Sequence, residues 1–137
     1  MTGTPTDGYA GLPAGPSPNP FVGGPVHVPT LTLAARDRLL DDLAPWVDTL
    51  ARRFALDVRT LPPCWDRHNG MVEVLAALRD YERGAFVGTA PATAAIDWLR
   101  ALRDALAFLR DLAALTQCTA REHRPDPERP NLEPPGD

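Results

Sequence analysis

The stretch ATAAIDWLRALRDALAFLRDLAAL, residues 92–115, decides the fold class. Its apolar side chains Ile96, Trp98, Leu99, Leu102, Ala105, Leu106, Leu109, Leu112 and Ala113 recur every three to four residues and form one broad stripe. That spacing is the period of an α-helix with one face on a core, whereas a strand would alternate apolar and polar positions. The other face carries Arg100 and Asp104 at i,i+4, with Asp97, Arg103, Arg110 and Asp111 nearby, the pattern of a solvated surface. Gly88 to Pro91 breaks the chain upstream, with Thr89 or Thr93 available to cap the helix.

Two earlier segments repeat the helical period. Leu39, Leu43, Trp46 or Val47, Leu50 and Phe54 make one seam, interrupted by Pro45. A proline inside a helix loses a hydrogen bond and crowds the preceding turn, so this segment is expected to be a kinked helix or two helices, with Trp46 inward in either case. Asp57 to Pro63 reads as a connector, and Pro62-Pro63 forces extended backbone just before Cys64. Asn69 then reads as the cap of a helix whose positions Met71, Val74, Leu75, Leu78, Tyr81 and Ala85 keep a period near 3.5. The expectation is an all-α bundle of three or four helices over residues 31–124.

The flanks differ in composition. Of the 16 prolines, seven fall in residues 1–30 and five in residues 125–137. Segments so rich in Pro and Gly bury too little apolar surface to offset the entropy of ordering. Residues 1–30 therefore read as a disordered arm and 125–137 as a disordered acidic tail. Pro13 and Pro16 form a PxxP without a basic anchor, which fits a spacer better than a ligand. Met1 to Leu12 lacks the positive start and apolar run of a secretory signal, and no segment is long enough to span a bilayer, so a cytoplasmic location is expected.

Charge weighs against one class of function. The formal net charge is −4, yet residues 31–124 hold thirteen Arg and thirteen acidic side chains, so the excess lies in the flanks. A balanced core does not offer the concentrated basic patch of a duplex-DNA reader held by phosphate contacts. All fourteen cations are Arg and none is Lys, which reads as the coding bias of a GC-rich genome. No Gly-rich phosphate loop, GxSxG elbow or cysteine nucleophile with an orienting acid is present.

The chemistry-bearing residues are the two cysteines, each just upstream of a histidine: Cys64 and His68, Cys118 and His123. Zinc takes four thiolate or imidazole ligands tetrahedrally, and pairs at this spacing let one short turn supply two of them. If the pairs meet, one ion staples the middle of the chain to its end. Four protein ligands leave no position for a reacting water, so the metal would be structural rather than catalytic. Two other readings stay open: small buried thiols with ordinary packing histidines, or a thiol enzyme or redox sensor acting through Cys118. A reducing compartment weighs against a Cys64–Cys118 disulfide. Trp46 and Trp98 read as core, while Trp65, between Cys64 and His68, would lid the cluster or anchor a partner.

Trp46-Val47, Cys64-Trp-Asp-Arg-His68, Val72-Glu-Val-Leu75-Ala-Ala-Leu78, Trp98 and Cys118-Thr-Ala-Arg-Glu-His123 with its Pro-rich exit resemble a group of small actinobacterial proteins of unknown function. Members of that group look like products of plasmids and other mobile elements. The resemblance covers about residues 44–130 and departs from the group's pattern at His68-Asn-Gly-Met71, where His-Pro-Glu-Ala is usual, and in the following helix, where the usual second aromatic is either replaced by Tyr81 or absent. It implies a setting beside plasmid replication or transfer, and no mechanism. The function expected is a non-enzymatic protein-interaction module, an accessory to a plasmid or conjugation complex, contacting a protein partner around Trp65. The alternative is a nucleic-acid-binding accessory factor using Arg52, Arg53, Arg67, Arg100 and Arg103.

Overall fold

The residues of the long stripe fold as a 23-residue helix, Ala94–Thr116, and two more helices pack with it. In chain order these are α1 (Leu33–Arg53), α2 (Asn69–Ala85) and α3 (Ala94–Thr116). The structure is a computed structural model that describes residues 24–128. Among these residues there is no strand, and two short 3-10 turns, Val28–Thr30 and Trp65–Arg67, complete the regular structure. The architecture is the all-α bundle expected, with three helices.

The core lies where the three apolar seams meet. Leu43 and Leu50 of α1, Val72 and Leu75 of α2, and Leu109 of α3 are fully buried, with Trp98 and Met71 all but so. Val28 joins this core from a segment whose composition suggested a disordered arm, because its 3-10 turn, with Pro29 inside it, folds the apolar side chain into the core cluster. The α3 stripe is narrower than its sequence implies. Ile96 and Leu99 sit beyond the arc that faces α2 and are about half exposed, and Tyr81 on α2 is exposed as well.

α1 runs through Pro45 as one helix of 21 residues. Pro45 is on the solvent side, where water can satisfy the carbonyl that loses its partner, so the proline does not divide the helix. Thr32 caps α1 by accepting the Ala35 N–H at 3.1 Å. The other end closes with Ala55 in the left-handed region at φ 51°, letting the Leu56 N–H reach the Ala51 carbonyl at 3.0 Å. Trp46 packs on the core with its indole N–H on Glu82 at 2.9 Å.

Two capping expectations are corrected. His68, not Asn69, holds the N-cap position of α2, and its side chain makes no capping bond because the ring is turned toward the cysteines. Asn69 is already helical, and its amide oxygen accepts from Arg36 of α1 at 2.7 Å. Thr93 occupies the N-cap position of α3 with helical backbone and likewise makes no side-chain bond.

Beneath α2 lie two charged residues that the seam conceals, Arg79 and Asp80, both buried. Asp80 accepts the Val26 N–H at 3.4 Å, tying the 3-10 segment to α2. Burial lowers the pKa of Arg79, whose nearest carboxylate on α1 is Asp42 at 3.9 Å.

Candidate metal centre

The connector between α1 and α2 fixes the first ligand pair. Asp57 nucleates a turn by accepting the Thr60 and Leu61 N–H groups at 3.0 and 2.9 Å, and Leu61 and Pro62 are buried against the bundle. Arg110 of α3 donates to the Thr60 hydroxyl at 3.3 Å, so the connector is held from both sides. Cys64 then opens the 3-10 turn and His68 closes it, with Arg67 N–H on the Cys64 carbonyl at 2.9 Å and His68 N–H on the Trp65 carbonyl at 3.1 Å. One turn thus sets the separation of the two side chains, and the His68 carbonyl goes on to accept the first bond of α2 from Val72.

The second pair follows the end of α3. Gln117 turns left-handed at φ 57° and stops the helix, sending Cys118 back toward the N-terminus of α2. Thr119 builds the return: its hydroxyl accepts the Glu122 N–H at 2.9 Å, and its own N–H donates to the Glu122 carbonyl at 2.9 Å. This loop brings His123 beside Cys118, which a continuous helix could not do at that spacing.

Cys64, His68, Cys118 and His123 converge, and their ligand atoms all lie within 4.8 Å of one another. His68 Nε2 is 3.5 Å from Cys64 Sγ and 3.4 Å from Cys118 Sγ, and Cys118 Sγ is 4.0 Å from His123 Nδ1. A tetrahedral zinc ion separates its sulfur and nitrogen ligands by about 3.6 Å, given the usual bond lengths. The four residues are therefore close enough to hold a metal ion. No protein-family model, curated protein or solved structure matches the chain.

The surroundings suit anionic sulfur and oriented imidazole. His68 is buried, and its Nδ1 meets Asp126 Oδ1 at 2.6 Å, which leaves Nε2 pointing at the two sulfurs. A carboxylate behind a ligating histidine fixes the tautomer and raises ligand basicity. The Arg124 backbone N–H donates to Cys118 Sγ at 3.1 Å. Burial disfavours the Cys118 thiolate, but its polar contacts with Thr116, the Arg124 backbone, Cys64 and His68 outweigh it and bring the thiol down to about 7. Cys64 is pushed up to about 11, first by burial and then by its hydrogen bond and repulsion with Cys118. His123 is lowered by burial and by the nearby cation Arg67.

Asp126 escaped the sequence reading because it lies in the Pro-rich exit. The available signal was its position between Pro125 and Pro127, which keep the backbone extended shortly after the second ligand pair. Trp65 is half-buried and packed on the core. The five arginines of the nucleic-acid alternative are spread over three elements. Arg52 pairs with Asp48 at 2.6 Å, Arg53 with Glu82 at 3.0 Å, and Arg100 with Asp97 at 3.3 Å. Arg67 and Arg103 are exposed and joined to none of these by a described contact. Among the described residues no helix is long and apolar enough to cross a membrane.

Proposed function

We propose that this chain is a non-enzymatic protein-interaction module whose bundle is held closed by a structural Cys2His2 zinc ion. The observation that carries the reading is the meeting of Cys64, His68, Cys118 and His123, with ligand atoms within 4.8 Å, at the junction of α2 with the end of α3. Two thiols and two imidazoles favour zinc over the hard, oxygen-seeking cations. Four protein donors fill the tetrahedron and leave the ion nothing to do but hold its ligands. The staple joins the α1–α2 connector to the strap after α3, so it ties together segments some fifty residues apart in sequence, as the His68–Cys118 contact does. A small bundle gains much from such a cross-link. The setting we propose for the partner, a plasmid or conjugation complex, rests on the family resemblance alone.

Elemental analysis of untagged protein, paired with a melt in the presence and absence of chelator, tests the reading. The expected result is close to one equivalent of zinc and a large fall in Tm on chelation. Protein free of zinc with an unchanged melt would remove the staple, and a turnover abolished by alanine at Cys64 or Cys118 would replace the module with a thiol enzyme.

A further inference from the structure

Between α2 and α3, with no residue of α1 in its lining, the bundle leaves an open apolar trough of about 520 Å³. Its lining includes the small side chains Ala77 and Ala105, which fill little of the space, together with Val74, Leu78, Leu112 and Phe108. Phe108 is 56% exposed, a large aromatic with no covering element among the described residues. The trough extends from Gly70 to Tyr81 along α2 and from Ala101 to Leu112 along α3. Twelve residues of helix span about 16 Å, or three turns. A trough of that length between two helices fits a third helix with apolar side chains at i, i+4, i+7 and i+11, laid in as the missing fourth member of a bundle.

The rim says which helix. The charged lining side chains are Glu73 on one wall and Asp104 on the other, both exposed and neither in an ion pair among the described residues. The i,i+4 spacing offers Arg100 to Asp104, but Arg100 turns instead to Asp97 at 3.3 Å. Two carboxylates beside an apolar lining call for cations on both shoulders of the occupant's apolar stripe. The chain's own ends do not supply them: residues 1–23 contain no Lys or Arg, and residues 129–137 contain Arg129 alone. A second copy packed trough to trough would set these acids against each other, which destabilises.

We propose that the α2–α3 trough is the docking surface of the module and that its occupant is a cationic amphipathic helix of a different protein. The proposal rests on the interaction-module reading above and gives it a place and a partner chemistry. Apolar contact with Phe108 and the other apolar lining side chains supplies attraction, and Glu73 and Asp104 set orientation and select against acidic helices.

The test uses full-length, isotopically labelled protein as purified from zinc-containing medium and a 15-residue helical peptide of Leu at i, i+4, i+7 and i+11 with Lys elsewhere, beside the same peptide with Glu for Lys. Binding is followed by fluorescence polarisation and located by amide shifts. The expected result is binding of the Lys peptide with shifts at Val74, Ala77, Ala105 and Phe108, and at least tenfold weaker binding of the Glu peptide. Ala105→Trp, which fills the trough, abolishes binding, and Asp104→Arg on the exposed rim weakens it at least tenfold at unchanged Tm. Equal binding of the two peptides, shifts outside the trough, no effect of Asp104→Arg, or self-association that buries Phe108 would each overturn the proposal. Zinc is measured on the same samples. Protein that holds zinc but ignores the Lys peptide sinks the trough alone, whereas protein that lacks zinc sinks the staple.

Discussion

Asp126 Oδ1 sits 2.6 Å from His68 Nδ1, so a residue of the Pro-rich exit reaches the buried imidazole at the head of α2. Asp126 is itself about half exposed, and its reach is set by the strap that Cys118 and His123 start. Structural zinc sites with an imidazole ligand depend on such a carboxylate for tautomer and ring orientation. Asp126→Asn is expected to lower zinc affinity by roughly 10- to 100-fold, as outer-shell partners of ligating histidines do. Competition against a chromophoric chelator measures this. Unchanged affinity would mean that the ring is held by packing alone.

Proton release on metal binding follows from the unequal cysteines. Zinc takes both as thiolates, so each thiol still protonated must lose its proton when the ion enters. Cys118, at about 7, has already lost its proton in mildly alkaline solution, while Cys64, at about 11, has not. Between these two values the cysteines release about one proton per zinc, and below pH 7 they release about two. Apparent affinity should therefore fall more steeply with acid below pH 7 than above it. Calorimetry in buffers of different ionisation enthalpy counts the protons directly, and two protons at pH 8.5 would contradict the assignment.

Ala55 closes α1 with φ 51°, a conformation in which its Cβ crowds the backbone. Glycine has no such penalty and is the usual residue at this point of the motif. Ala55→Gly is expected to raise stability by about 0.5 to 1 kcal/mol despite the greater freedom of glycine in the unfolded chain. Urea denaturation, with the slope unchanged and the midpoint shifted upward, is the check.

The helices were legible because period 3.6 is written into Leu39-Leu43-Leu50, Met71-Leu75-Leu78 and Leu102-Leu109-Ala113, and all nine of these side chains are buried. The Cys/His cluster was legible as two pairs of candidate ligands, because each pair is local in sequence. Its outer partners were not, since Asp126 and the Arg124 N–H become relevant only once the loop built by Thr119 has turned back on Cys118. The cap of α2 was misread for a related reason. Asn69 is the better capping residue by type, but His68 is held out of the helix by the cluster, and that tertiary demand overrides local preference. Judged in isolation, Pro45 predicts either a kink or a division of the helix; on the solvent face of α1 its cost is small enough for the buried seam to carry one helix through.

The width of the α3 stripe can be tested with two leucines of the same helix. Leu109 is completely buried and Leu99 is 44% exposed, though the sequence gives them equal standing. Truncating a buried leucine removes its transfer free energy and leaves a cavity, for a cost of about 2 to 5 kcal/mol. At Leu99 water can fill the gap and much of the side chain already faces solvent, so Leu99→Ala should cost less than about 1 kcal/mol. Thermal melts of the two variants, each saturated with zinc so that the staple is constant, are expected to separate them clearly. Equal losses would mean that Leu99 is covered in solution, by self-association or by a segment outside residues 24–128, and sedimentation of the wild-type chain would tell these apart.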